Sequence, residues 1–87
     1  MTYTVLWHRR SRDALATLWL DFPLERTAIS EAARSIDRLL ESKPHEQGES
    51  RAGDERILFT WPLVANFTIY EARRTVRVVN MRHLRRR

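Results

Sequence analysis

The sequence predicts an α+β domain of two layers, in which a helical hairpin packs on one face of a small, mostly antiparallel sheet. Three observations predict this fold: an alternating segment at the N-terminus, two stretches with helical periodicity, and three strand-like runs in the last third of the chain. Their order is β-α-α-β-β-β. The 87 residues, with 43% hydrophobic content and no cysteine, predict a single domain over residues 1–87 that is stabilised by packing.

The first strand and the first helix follow from side-chain spacing. Aromatic and β-branched residues alternate over residues 2–8, which predicts a strand that ends at the two arginines that follow. Ser11 is the predicted N-cap of the first helix. The apolar residues after it recur at helical spacing: Leu15, Leu18, Trp19 and Phe22. We expect Trp19 in the core and the end of the helix at Pro23.

A longer apolar stripe indicates a second helix. The stripe consists of Ile29, Ala32, Ala33, Ile36, Leu39 and Leu40. The helix is expected to end at Ser42-Lys43-Pro44, because the residue before a proline avoids helical backbone angles. The short connection between the two helices predicts an antiparallel hairpin.

The second half of the chain predicts a loop and three strands. Residues 44–55 are polar and contain both glycines, which is typical of a surface loop. Strands are predicted at residues 56–61, 64–70 and 75–81, and the short connections between them favour antiparallel hairpins. The pattern does not decide where the first strand joins the sheet.

One face of the predicted sheet has no helix to cover it. Asn66, Thr68 and Tyr70 alternate along one strand, and Arg77 shares a face of the last strand with Met81. The polar residues of this set are expected to line an open, wet surface suited to an extended chain, either polypeptide or RNA. A solvated face without a partner is the alternative.

Positive charge is concentrated at the C-terminus. The chain carries a net charge of +5, and its last fifteen residues hold seven arginines and no acidic residue. Residues 82–87 are expected to form a basic C-terminal tail, which predicts a polyanionic or acidic partner. His83 lies among Arg82, Arg85 and Arg86, where it is a candidate general base beside a phosphate clamp. A basic tail in which His83 has no role is the alternative.

Several classes of function receive no support. The histidines are scattered and the familiar nucleotide and metal motifs are missing, so neither a metal nor a cofactor is expected. His8 and His45 are expected to be plain surface residues, and Arg56 to pair with the loop carboxylates Asp54 and Glu55. No apolar run approaches the roughly 18 residues that a membrane helix needs, and the N-terminus lacks the features of a signal peptide. We expect a cytoplasmic protein without membrane contact.

Four stretches of the chain together resemble one known family. Residues 32–40 resemble its second helix, and residues 51–59 resemble the entry to its second strand, where an arginine is typical. Residues 66–71 and 76–79 resemble the hairpin that follows, and residues 81–86 resemble its basic His/Arg ending. With the order β-α-α-β-β-β, the chain is similar to the RelE/ParE superfamily of type II toxin–antitoxin toxins.

The resemblance implies one of two activities. RelE-like toxins cut mRNA, usually in the ribosomal A site and without a metal, by positioning the RNA's own 2′-hydroxyl and stabilising charge. The residues implied are Arg56, Arg77, Arg85 and Arg86 as phosphate and RNA ligands, with Arg82 and His83 as the terminal clamp and the acid/base group. ParE-like toxins instead poison DNA gyrase and have no nuclease site. Cleavage of mRNA on the ribosome is the leading expectation.

The resemblance also implies a partner, a small antitoxin. Its acidic segment is expected over the open sheet face and against the C-terminal arginines, namely Arg77, Arg82, Arg85 and Arg86. No tyrosine follows His83, and Lys43 is the single lysine where several RelE-like members carry more, so gyrase inhibition stays open. Two further alternatives are a non-catalytic member that only binds its antitoxin and a standalone nucleic-acid-binding module.

Overall fold

The computed structural model describes residues 2–51 and 53–84. The helices and strands are, in chain order, β1 (Thr4–Trp7), α1 (Arg9–Asp21), α2 (Arg26–Ser42), β2 (Glu49–Ser50), β3 (Glu55–Thr60), β4 (Leu63–Tyr70) and β5 (Thr75–His83). Three short 3₁₀ turns, at Pro23–Glu25, Pro44–Glu46 and Glu71–Arg73, connect them. The predicted α+β class is confirmed. The segment predicted as a loop contributes β2, a strand that the sequence pattern did not indicate.

The sheet has five strands in the order β1-β5-β4-β3-β2. The pair β1–β5 is parallel, and the other three pairs are antiparallel. The two helices carry the chain from β1 at one edge of the sheet to β2 at the other edge, which is why β1 can run parallel to its neighbour. The first strand therefore lies at an edge, beside the last one.

The hydrophobic core lies between the helices and one face of the sheet. The predicted stripe of α2 is its helical side, with Ile29, Ile36 and Leu40 at 0% exposure. On the sheet side, Phe67 of β4 and Val78 of β5 are equally buried. Burial of this apolar surface, at about 25 cal/mol per Å², is the main stabilising contribution to such a small domain. None of the helices in the described ranges is long and apolar enough to cross a membrane.

A β-bulge in β5 changes which residues face the helices. Phe67 pairs with Val78, whereas the preceding Asn66 pairs with Asn80, so Val79 is an extra residue in β5. Beyond the bulge the alternation is reversed. Met81 is therefore buried at 3% exposure against the helical layer, and the expectation that it shares a face with Arg77 is wrong.

Helix α1 begins earlier than the sequence predicts. His8 is its N-cap, and the ring Nδ1 accepts a hydrogen bond from the Arg10 amide at 3.0 Å. Ser11 is not the cap: it lies inside the helix, fully buried, and its Oγ donates to the Val78 carbonyl at 2.9 Å. The helix starts directly after β1 because the histidine ring satisfies an amide of the first turn.

The expectation that Trp19 lies in the core is wrong. The side chain is 41% exposed, at the outer rim of the helical layer. The Arg26 guanidinium lies 4.1 Å from the ring centroid, and its Nε donates to the Trp19 carbonyl at 2.8 Å. Trp19 is thus a rim residue covered by an arginine, an arrangement that helical spacing alone does not distinguish from burial.

Candidate functional site

The open face of the sheet carries the polar residues that the sequence places there. Thr68 pairs with Arg77, Tyr70 with Thr75, and Asn66 with Asn80, so these residues share one face. Arg77 is exposed, and Tyr70 is 42% exposed. The predicted placement of Arg77 beside Asn66, Thr68 and Tyr70 is confirmed. The face can bind a partner that offers negative charge and hydrogen-bond acceptors.

A basic groove lies along the β1 edge of this face. It has a volume of about 860 Å³ and is lined by Val5, Leu6, Trp7, His8, Arg9, Arg12, Tyr70, Arg73, Thr75 and Arg77. We call it the β1 groove. Four of its lining residues are arginines and none is acidic. The groove is therefore a concave site for anionic groups, because clustered guanidinium groups attract phosphates and carboxylates.

The β1 groove was not predicted, although Arg77 was. Arg9 and Arg12 lie far along the chain from the C-terminal arginines, and they meet Arg73 and Arg77 only because β1 pairs with β5 in parallel. The alternation of residues 2–8 indicated a strand but not its neighbour. Without that neighbour, the two arginine clusters could not be joined.

Arg56 does not reach the open face. It pairs with the buried Phe67 in the sheet, so its side chain leaves β3 on the helical side. Its guanidinium donates to the carbonyls of Gln47 at 3.1 Å, Gly48 at 3.3 Å and His45 at 3.4 Å. The expected ion pair with loop carboxylates is wrong, since the guanidinium instead holds the backbone of the loop before β2.

Arg82 and His83 point to opposite faces of the sheet. Both belong to β5 rather than to a tail. Since consecutive residues of a strand alternate, the exposed Arg82 faces the open side with Arg77, and His83 faces the helices. Arg85 and Arg86, which are predicted to act together with Arg82 and His83, lie outside the described residues.

His83 fixes the end of β5 to the turn between the helices. Its ring stacks on Phe22, with centroids 3.9 Å apart and planes 2° apart. Its Nε2 lies 2.9 Å from Glu25 Oε1, and the side chain is only 13% exposed. The contacts of His83 within the described residues are thus an aromatic ring and a carboxylate on the helical side. The general-base role beside Arg85 and Arg86 stays a prediction, because those two arginines lie outside the described residues.

Two histidines expected to be plain surface residues have defined contacts. His8 caps α1, and His45 Nε2 lies 2.6 Å from Glu71 Oε1. Tyr3 also donates to both carboxylate oxygens of Glu71, at 2.9 and 3.0 Å, and Arg74 donates at 3.3 Å. This Glu71 cluster joins the N-terminus, the end of the helical layer and the turn between β4 and β5.

The contacts of Glu71 change two pKa values. The hydrogen bond with His45, followed by that with Tyr3, lowers the pKa of the Glu71 carboxyl below its ordinary value. The same carboxylate raises the pKa of the Tyr3 hydroxyl, mainly through the hydrogen bond. The cluster is surface-exposed, so it is a pH-sensitive link rather than a buried acid/base site.

Comparisons with known proteins bear on the fold. No protein-family model and no curated protein matches the sequence. A solved structure of the chromosomal ParDE toxin–antitoxin system from P. aeruginosa matches with a TM-score of 0.78 and 15% identity, covering 95% of this chain and 97% of the other. A chain of the toxin–antitoxin complex RelBE2 from Mycobacterium tuberculosis matches with a TM-score of 0.69 and 20% identity, covering 95% and 92%. The molecule has the RelE/ParE fold that the sequence predicts.

Proposed function

We propose that this chain is the toxin of a type II toxin–antitoxin pair and acts on a cytoplasmic target. Two structural matches, each covering 95% of this chain, support the proposal, because one matching structure comes from a toxin–antitoxin system and the other from a toxin–antitoxin complex. The observation that carries it is the β1 groove on the open sheet face, where Arg9, Arg12, Arg73 and Arg77 converge without an acidic residue. Such a surface attracts anionic partners, and both an acidic antitoxin and a nucleic-acid-associated target would supply the negative charge.

The antitoxin is the first proposed partner. An acidic segment over the open face would neutralise Arg77 and Arg82, which share that face, and the terminal Arg85 and Arg86 would add to the attraction. A preformed basic face lowers the entropic cost of binding, because only the flexible acidic segment must be ordered, and the attraction between opposite charges favours the complex.

The geometry supports inhibition by binding, as in gyrase-directed ParE-like toxins, better than catalysis at His83. Catalysis there would need the imidazole beside the phosphate ligands. His83 instead contacts Glu25 and Phe22 on the helical side, while Arg77 and Arg82 face the other way. We therefore place the RelE-like mRNA endonuclease second.

One observation keeps mRNA cleavage as a second candidate. His8 lines the β1 groove together with Arg77 and Tyr70. Its Nδ1 accepts the Arg10 amide, which leaves Nε2 as the ring nitrogen able to exchange a proton with a bound phosphodiester. A nuclease site in this chain would thus use His8 with the groove arginines, rather than His83.

The test is controlled expression of the chain alone in bacteria. Growth, mRNA integrity and a DNA-damage reporter are followed together after induction. Growth arrest with intact mRNA and an active damage reporter supports the gyrase-directed toxin, and arrest with cleaved mRNA supports the second candidate. Undisturbed growth at confirmed expression of the folded chain contradicts the toxin function and leaves a protein that only binds its partner.

A further inference from the structure

The outer face of the helical layer exposes large apolar side chains. Leu20 of α1 is 65% exposed, and Leu24, in the turn after α1, is fully exposed. Beside Leu20 lies a groove of about 440 Å³ between α1 and α2, lined mainly by apolar side chains that include Leu15, Ala16 and Ile29. We call it the α1 groove. An apolar surface of this kind on a small domain marks a contact region, because covering it releases water from the side chains.

The α1 groove differs in chemistry from the β1 groove. Among the described residues that line the α1 groove, Arg12 is the one with a charge, whereas four arginines line the β1 groove. An acidic peptide or a nucleic acid would therefore gain more from the β1 groove. The occupant of the α1 groove must instead supply apolar surface.

The side chains along α1 are arranged to fit a second, antiparallel copy of the same helix. Arg10 in the first turn and Asp21 at the end of α1 are both exposed. With about 3.6 residues per turn, these two residues lie on the same side of the helix and about 16 Å apart. Arg12 and Trp19, also exposed, likewise share one side, next to the α1 groove.

Both pairs have the same midpoint, between Leu15 and Ala16. A copy of α1 that runs antiparallel about this point would set its Asp21 against Arg10, and its Trp19 against Arg12. Each contact would occur twice, as in an isologous interface. The first contact pairs opposite charges, and the second places a guanidinium on an aromatic ring.

Two copies joined through α1 would keep their basic surfaces apart. The chain has a net charge of +5, and Arg77 and Arg82 lie on the face of the sheet away from the helices. Two helical layers, each about 10 Å across, would separate the open faces by more than the Debye length of about 8 Å at physiological salt. Repulsion between copies is thus weak across this face, and both open faces stay accessible.

We propose that the chain forms a twofold-symmetric dimer in which α1 packs antiparallel against α1 of a second copy. Ala16 lies near the twofold axis, where its small side chain lets the two helices approach closely. Leu20 is covered in both copies, and Arg10 and Asp21 pair at the rim of the contact. The inference goes beyond the proposed function and does not depend on it, since the dimer is measured on the purified chain without any assay of growth.

The dimer is tested by sedimentation of the purified full chain over a range of concentrations. A monomer–dimer equilibrium is expected. Leu20→Glu should weaken dimerisation about tenfold or more, because it places a carboxylate from each copy in an apolar contact. Leu6→Glu makes the same change at an exposed leucine of β1, outside the contact, and should dimerise as the unaltered chain does. Circular dichroism checks that both variants are folded.

The antiparallel orientation is tested by exchanging charges. Asp21→Arg turns both rim pairs into like charges and should weaken dimerisation several-fold. Arg10→Asp/Asp21→Arg keeps the net charge and recreates the pairs with exchanged signs, so dimerisation should recover. A double variant that dimerises no better than Asp21→Arg would overturn the antiparallel contact.

The position of the twofold axis is tested by cross-linking, since the chain has no cysteine of its own. Ala16→Cys should form a disulfide-linked dimer under mild oxidation, whereas Glu31→Cys, at an exposed position of α2, should remain largely unlinked. A chain that is monomeric at every concentration, or a dimer that Leu20→Glu leaves intact, would overturn the proposal. A monomer that binds a synthetic amphipathic helix in the α1 groove would assign this groove to a different protein and equally overturn it.

Discussion

Glu71 illustrates how single residues hold distant parts of this small domain together. Its carboxylate accepts hydrogen bonds from Tyr3, near the N-terminus, and from Arg74, in the turn before β5. It also lies within hydrogen-bond distance of His45, in the turn after α2. Glu71 and His45 are exposed, and Tyr3 and Arg74 are half-buried, so each contact is weak by itself in water. Together, these contacts lower the pKa of the Glu71 carboxyl below its ordinary value.

The lowered pKa predicts how stability depends on pH. A carboxyl with a lower pKa in the folded chain stabilises the fold above its unfolded pKa, and this contribution is lost as the pH falls through the folded pKa. The stability advantage of the unaltered chain over Glu71→Gln should thus be present at neutral pH and shrink below about pH 4.3. Urea unfolding at a series of pH values measures it. Glu46→Gln, an exposed change in the neighbouring turn, is the control, and a pH-independent advantage of Glu71 would contradict the prediction.

The two glycines of the chain should differ in how much stability is lost when each is replaced by alanine. Gly48 and Gly53 both have positive φ, 66° and 61°. A Cβ at Gly48 would lie 2.2 Å from the Ile57 carbonyl oxygen, whereas one at Gly53 would have nothing within 4 Å. We expect Gly53→Ala to lower the free energy of unfolding by about 1 kcal/mol through backbone strain, and Gly48→Ala by about 2 kcal/mol or more. Equal losses in urea unfolding would show that the close approach to β3 is unimportant.

At the scale of elements, Ser11 joins α1 to the sheet. Its buried hydroxyl donates to the Val78 carbonyl of β5. Ser11→Ala removes this bond and should lower the free energy of unfolding by about 1 kcal/mol. Thr17→Ala makes a similar change at an exposed position of the same helix, and it should have little effect. Thermal or urea unfolding of both variants checks this, and identical stabilities would contradict the role of Ser11.

Periodicity predicted the elements but not their partners. The stripe of α2 and the alternation of β3, β4 and β5 are local patterns, so the sequence reports them directly. The edge position of β1 depends on contacts between residues about seventy positions apart, such as Trp7 and Val78. The bulge at Val79 leaves no local signal, yet it decides that Arg82 faces the open side and His83 the helices. The cap of α1 was misplaced because a histidine, rather than Ser11, accepts the first amide.

At the scale of the whole molecule, the fold rearranges the basic residues that the sequence groups at one end. Arg77 and Arg82 stay on the open face, Arg56 turns into the loop before β2, and Arg9 and Arg12 join from the start of α1. Of these positions, only that of Arg77 could be predicted, because it depends on alternation within one strand, whereas Arg82 reaches the same face through the bulge at Val79. The others follow from sheet order and from the side of β3 that faces the helices.

This arrangement predicts different roles for two histidines. His83→Phe keeps an aromatic ring against Phe22 and removes the imidazole, so growth inhibition should be retained if His83 only anchors β5. His8→Asn keeps a residue suited to capping α1 and removes the imidazole from the β1 groove. Loss of mRNA cleavage in His8→Asn alone would assign catalysis to the groove. Loss in His83→Phe alone, with the protein still folded by circular dichroism, would contradict the account of His83.

The claim that the open basic face carries the activity is tested most directly by charge reversal during expression in bacteria. Growth after induction of Arg77→Glu/Arg82→Glu is compared with that of the unaltered chain and of Arg34→Glu/Arg38→Glu, at matched levels of folded protein. The account predicts that the first variant inhibits growth about tenfold less or not at all, while the α2 variant inhibits it fully. Full inhibition by Arg77→Glu/Arg82→Glu would contradict it.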